Sequence, residues 1–234
     1  MTEITEHDVM AAITAKGGVA RLLGGRAVLN LCGTALPGVL RRDSADIDLV
    51  TRGRDRKALK VAMANLGCKS DEEFNLLNGK ERMIFYAGDT KIDIFIDVFR
   101  MCHTLHFGDR LDLHPVTLSP SDLLLTKLQV FYAERKDLSD VAALLLCCDL
   151  HAGADHEMAV DTRYLAKLLG EDWGLWRTAT GTLAKLDQQA KDICKDQNLT
   201  QVLRDKIANL LSYLERAPRS VGWRMRSLIG ERSV

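Results

Sequence analysis

The stretch Ser44-Ala45-Asp46-Ile47-Asp48-Leu49-Val50 constrains this chain more than any other. Two carboxylates one residue apart inside an apolar run read as part of a strand. A strand's period of two puts Asp46 and Asp48 on one face and Ile47 and Leu49 on the other. Two such acids stand about 6–7 Å apart along a strand, close enough to repel each other and to share a divalent cation.

The flanking sequence fits that reading. Upstream, Val19 to Leu23 reads as a short strand running into Gly24-Gly25, and Arg26 to Cys32 as a short helix. The two glycines therefore stand where backbone N–H groups can cradle a phosphate. Downstream, Lys91 to Phe99 alternates again and carries Asp93 and Asp97 with the same parity. A Gly-Gly turn, an Asp-x-Asp strand and a later strand acid together make a metal-dependent nucleotide site. Between them, residues 33–45 form a turn-rich loop with Arg41-Arg42. Arg42 is expected to contact a triphosphate or to steady Asp46, and Ser44 to bond phosphate or backbone.

Gly24-Gly25-x-Ala27, Arg42-x-Ser44-x-Asp46-Ile47-Asp48-Leu49 and Lys91-Ile92-Asp93 resemble the signature of the nucleotidyltransferase superfamily with the DNA polymerase beta fold. The nearest branch is the small prokaryotic one of abortive-infection-type toxins and minimal nucleotidyltransferases. Lys127 and the run Arg135 to Asp140 are similar to the region that follows the core in that branch, so the likeness spans residues 19–145. The resemblance implies transfer of NMP from an NTP to an acceptor hydroxyl, releasing pyrophosphate. It implies Mg²⁺ or Mn²⁺ held by Asp46, Asp48 and Asp93, with Asp93 also taking the hydroxyl proton. Asp97 stays open as the third acid, and the resemblance favours Asp93. Gly24, Gly25, Arg42, Ser44 and Lys127 would bind the nucleotide. The acceptor is left open among a tRNA 3′ end, a protein side chain and a small molecule, and the toxin-like branch implies a cognate antitoxin as partner. The alternative is a module on the same fold that binds a nucleotide or a partner without turnover.

Composition narrows the setting. Thirty-two basic residues balance 32 acidic ones among 234, so the chain lacks the basic excess of a nonspecific nucleic-acid binder. The six cysteines lack metal-finger spacing, and Cys147-Cys148 reads as a buried pair. His103, His106 and His114 show no ligand spacing and read as structural or surface residues. The polar opening from Met1 to Asp8 and the lack of any apolar run of about 20 residues point to a cytoplasmic protein with no membrane partner.

The patterns predict an α/β (α+β) fold. Residues 1–117 form a mixed-sheet nucleotidyltransferase core, 118–215 a C-terminal helical domain and 216–234 a basic tail with five arginines. Helices are expected over 6–16 and 55–66, and hairpin strands over Glu73–Leu77, Arg82–Tyr86, Lys91–Phe99 and Leu111–Val116. Ser119-Pro120-Ser121-Asp122 opens a helix too apolar for a surface, whose one cation is Lys127. That ammonium either reaches the phosphate cleft or snorkels to solvent. Asp137 and Asp140 repeat cap spacing before a helix over 138–150, and three amphipathic helices follow over 159–170, 172–192 and 198–215. Trp173 and Trp176 are expected to pack in a core. The tail reads as a loose end or an RNA-contacting arm.

Overall fold

The computed structural model describes residues 4–153 and 157–230. The chain divides into two compact units, the first taking residues up to 31 and 42–119, the second 32–41 and everything from 120 onward.

In the first unit the elements run α1 (Glu6–Thr14), β1 (Ala20–Leu23), α2 (Gly24–Cys32), β2 (Ile47–Thr51), α3 (Arg56–Asn65), β3 (Lys69–Ser70), α4 (Glu72–Asn78), β4 (Arg82–Ala87), β5 (Thr90–Ile96), β6 (Val98–Arg100) and β7 (Thr104–His106). Five strands make one mixed sheet in the order β1-β2-β5-β4-β3, and only β2 and β5 run parallel within it. Their register sets Ile47 beside Ile92 and Leu49 beside Ile94, all four fully buried. The same register sets Asp48 beside Asp93. A slip of one residue would drive the acids into the core face and the isoleucines out, so burial of the apolar pairs fixes where the acids stand.

The mixed α/β class and the helical C-terminal region follow expectation, and four local elements differ. Residues 73–77, expected as a strand, lie in the helix Glu72–Asn78. Asp71 caps this helix by accepting from the Phe74 N–H, and Glu72 and Glu73 sit in the first turn, where acids favour a helix. From this helix the Asn75 amide bonds both the N–H and the C=O of Ile84, supplying what a neighbouring strand would have. Residues 111–116 form turns, with a single bridge from Thr117 to Leu22 beyond them. The strand expected over 91–99 breaks at Asp97, whose φ of 60° is left-handed. Finally, the tail forms a helix over Val221–Ile229, whereas residues 231–234 lie outside the described part.

The second unit contains α5 (Pro120–Leu128), α6 (Arg135–Cys147), β8 (Asp149–His151), β9 (Ala159–Asp161), α7 (Thr162–Glu171), α8 (Trp173–Cys194), α9 (Gln197–Arg216) and α10 (Val221–Ile229). Residues 32–41, which a sequence boundary at 117 assigns to the core, join this unit because Leu36 and Leu40 bury their side chains within it. Ser220 caps α10 by accepting from the Trp223 N–H. Two of the tail arginines are stacked: Arg219 lies over Trp176 and Trp223, and Arg226 over Trp173. No helix among the described residues is long and apolar enough to cross a membrane.

Candidate functional site

The site in the first unit starts from the β1–α2 junction. Gly24 opens α2 with φ +76°, a conformation in which an L side chain is strained, and an added Cβ would run into the carboxylate of Asp48. At Gly25 an added Cβ would stand 2.7 Å from the Arg42 guanidinium. The Gly-Gly turn is therefore a place where an acid and an arginine approach bare backbone at the start of a helix. Asp48 belongs to β2, the strand paired with β1.

Loop 42–46 is clipped in place by Arg26, a residue the sequence reading passed over. Its guanidinium donates to the Ser44 and Ala45 carbonyls at 3.0 and 2.9 Å and pairs with Glu6 at 2.7 Å. Asp46 then stands exposed one residue before β2, Asp48 is half-buried within it, and Ile47 and Leu49 are fully buried. The alternation that marks this stretch is the alternation the strand shows.

Asp93 is the surprise. It is only 2% exposed, and both its oxygens accept from cations. Arg82 clasps it through Nε at 2.7 Å and a terminal nitrogen at 2.5 Å, and Lys91 Nζ lies 2.9 Å away. Arg82 is itself stacked on the Phe95 ring. Burial pushes the Asp93 carboxyl up, but the hydrogen bonds and charges of Arg82 and Lys91 outweigh it and hold the group below its ordinary value. Its contribution to stability is thus fully present above the unfolded value near ~4 and is lost as pH falls through the lower folded value. Asp93→Asn is accordingly expected to cost most at neutral pH. Urea melts of both proteins at pH 7, 5 and 3 should show the gap closing with acid; a gap independent of pH would mean the carboxylate gains nothing from its partners.

Asp97 is placed elsewhere. Four residues on from Asp93, about 13 Å at the rise of a strand, its carboxylate accepts from the Gly53 N–H at 2.9 Å, and its carbonyl accepts from Phe107. Parity alone made it a candidate; the strand's rise takes it away from Asp48.

The three acids expected to hold metal are not drawn into one cage: among the described residues no group of three His, Cys, Asp or Glu side chains is placed to hold an ion. The reason is visible in the contacts. Asp93 is turned to Arg82 and Lys91, and Asp48 to Gly24. Asp46 and Asp48 remain a carboxylate-oxygen pair suited to a hard cation. His114 has its own task, its Nδ1 accepting from the Thr117 N–H at 2.9 Å.

In the second unit, Lys127 makes a 2.8 Å ion pair with Asp140, both largely buried. Asp140 is therefore no cap. Asp137, the third residue of α6, closes a capping box by accepting from the N–H of the N-cap Glu134 at 3.1 Å. Arg135 donates to the Asp192 carbonyl and Lys136 pairs with Glu134.

The chain is similar to two solved structures. One is the antibiotic-resistance factor ANT(2'')-Ia in solution, at 15% identity and a TM-score of 0.36, covering 89% of this chain and 92% of that one. The other is the crystal structure of ANT(2'')-Ia in complex with adenylyl-2''-tobramycin, at 17% identity and a TM-score of 0.38, covering 87% and 94%. No protein-family model and no curated protein matches the chain.

Proposed function

We propose that this chain transfers a nucleotidyl group from an NTP to an acceptor hydroxyl, with release of pyrophosphate. The observation that carries the reading is the meeting of Asp48 with Gly24 at the N-terminus of α2, with Arg42 over the next glycine and Asp93 beside Asp48 in register. Helix N-termini and bare glycine backbone bind phosphate, an arginine offsets its charge, and an acid pair beside them suits the Mg²⁺ that accompanies nucleoside triphosphates.

Asp46 and Asp48 would hold the divalent cation, Mg²⁺ or Mn²⁺, which when bound supplies Lewis-acid polarisation at the phosphate oxygens. Gly24 and Gly25 would bind the β- and γ-phosphates through N–H groups, with Arg42 and Ser44 completing the cradle. Asp93 serves as base for the acceptor hydroxyl only in so far as Arg82 or Lys91 releases an oxygen. Lys127, expected to bind the nucleotide, is committed to its ion pair with Asp140.

A cleft of about 880 Å³ opens beside Ser44, lined among others by Glu6, Asp43, Asp89 and Arg26. Three carboxylates against one guanidinium suit a small hydroxylated acceptor better than RNA. A tRNA end, a protein side chain and a toxin role with its antitoxin stay as the rival readings, and the cytoplasm is the setting proposed for each. The clamp on Asp93 favours one reading of a different kind, a nucleotide-binding module without turnover. Incubation with NTPs labelled at the α-phosphate, Mg²⁺ and a panel of tRNA, lysate protein and small hydroxylated compounds separates these. Label moving to one class supports transfer. Calorimetric NTP binding with no labelled product supports the module.

The cation has its own check. Mg²⁺ at 100 times its Kd is expected to stabilise the protein by about 2.7 kcal/mol, read as a rise in Tm. Asp48→Asn should abolish that rise. An unchanged response in the variant would put the ion elsewhere.

A further inference from the structure

We propose that Cys32 and Cys147 are a peroxide-oxidisable pair that closes to a disulfide, a modification site independent of the nucleotide chemistry above. All six cysteines are free thiols, at positions 32, 68, 102, 147, 148 and 194. Cys32 is the last residue of α2 and Cys147 the last of α6, and both belong to the second unit. The Cys32 thiol points at the end of α6. It donates toward the Ala143 carbonyl at 3.8 Å, and Cys147 follows Ala143 by one turn on the same face of α6. A thiol one turn from that carbonyl is within reach of a sulfur–sulfur bond of ~2.05 Å once the helix ends adjust. Helix ends, where both residues lie, yield most easily.

The pair divides the work of oxidation. Cys147 is half-buried, so a small oxidant can reach it, whereas Cys32 is only 3% exposed. The hydrogen bond from Cys32 favours the Cys147 thiolate and, against the opposing effect of burial, pulls that thiol below its usual value. The same bond, reinforced by burial, pushes Cys32 up and keeps its proton on. The Cys147 thiolate attacks a hydroperoxide ROOH, breaking the O–O bond to give Cys147–SOH and releasing ROH once the alkoxide takes a proton. The Cys32 sulfur then displaces the sulfenic hydroxyl, the new S–S bond forms, and water leaves with the Cys32 proton. Two thiols are oxidised by two electrons and one peroxide is reduced. Cys148 is a poor substitute. Burial, more than the neighbouring Cys147, pushes it up to about 12, and its Cα stands about 3.8 Å from that of Cys147, below the usual disulfide span of about 4.4–6.8 Å.

The test uses the full-length protein, a small excess of hydrogen peroxide, alkylation of the remaining thiols and tryptic digestion. The expected product is a cross-link between the tryptic peptides carrying Cys32 and Cys147, absent without peroxide and lost on treatment with dithiothreitol. Cys148→Ser should still form it and Cys147→Ser should not. Should Cys147→Ser fail to fold, fragmentation of the wild-type cross-link locates the bond at 147 or 148. A bond at Cys148, or oxidation confined to exposed Cys102 while Cys32 and Cys147 are both alkylated, overturns the proposal.

Discussion

Lys127→Met is expected to destabilise the protein by about 3–5 kcal/mol, the scale on which removal of one partner breaks a buried ion pair. Considered without its neighbours, the substitution looks harmless: it deletes a charge from an apolar helix and keeps an unbranched stem. The structure reverses that expectation. Asp140 accepts from Lys127 at 2.8 Å and is itself 3% exposed, so the variant removes the ammonium that offsets a buried carboxylate in the second unit. Pairing Lys127→Met with Asp140→Leu should recover most of the loss, because apolar side chains of similar volume replace buried ion pairs at little cost. Urea denaturation of the two single variants and the double variant measures the coupling. A Lys127→Met protein as stable as the wild type would show that other contacts of Asp140 already satisfy it.

The Lys127 case shows where sequence reasoning reaches its limit. That α5 is buried is legible from Leu123-Leu124-Leu125 and Leu128, and the cost of a lone ammonium there follows from physics alone. What offsets that cost is a long-range fact. Cap spacing finds Asp137 as a capping-box residue but sets the helix start three residues late, since α6 begins at Arg135 with Glu134 as its cap. The same rule mistakes Asp140 for a cap, although it lies a turn inside α6 on the buried side.

The β2 and β5 strands were legible for the opposite reason. Each carries one acid between two fully buried isoleucine or leucine neighbours, a pattern that fixes both face and register. Arg82 was within reach of the same reasoning. The turn at Gly88-Asp89 joins Ala87 to Thr90 and puts Ile84 opposite Asp93, so Arg82 falls diagonally across on the same face. Counting back from the hairpin would have found the residue that clasps Asp93. The helix over 72–78 was not to be had from alternation, since Leu76 and Leu77 are both exposed and point to no core; its signal was the Asp71 cap. In α10, arginine-rich composition hid a helix that is tied down by stacking, with Arg226 over Trp173 and the preceding Arg219 over Trp223.

Gly24→Ala and Gly25→Ala should differ sharply, although the two glycines are adjacent. At Gly24 the backbone is left-handed at φ +76°, which costs a residue with a side chain about 1–3 kcal/mol, and the new methyl meets the Asp48 carboxylate. Relief would require moving Asp48, which its register between β1 and β5 opposes. The variant should therefore lose stability and, if the site is as proposed, its response to Mg²⁺ as well. At Gly25 the φ angle is not in the left-handed region, and the atom in the way is the tip of Arg42, a flexible side chain that can swing aside. Gly25→Ala should then fold with nearly wild-type stability yet bind NTP more weakly. The loss should be about 1–3 kcal/mol, the worth of a charge-assisted hydrogen bond. Thermal melts with and without Mg²⁺, together with calorimetric NTP titration, read all three quantities. If Gly25→Ala binds NTP as the wild type does, Arg42 does not serve the phosphates, and the cradle must be drawn from the α2 backbone alone.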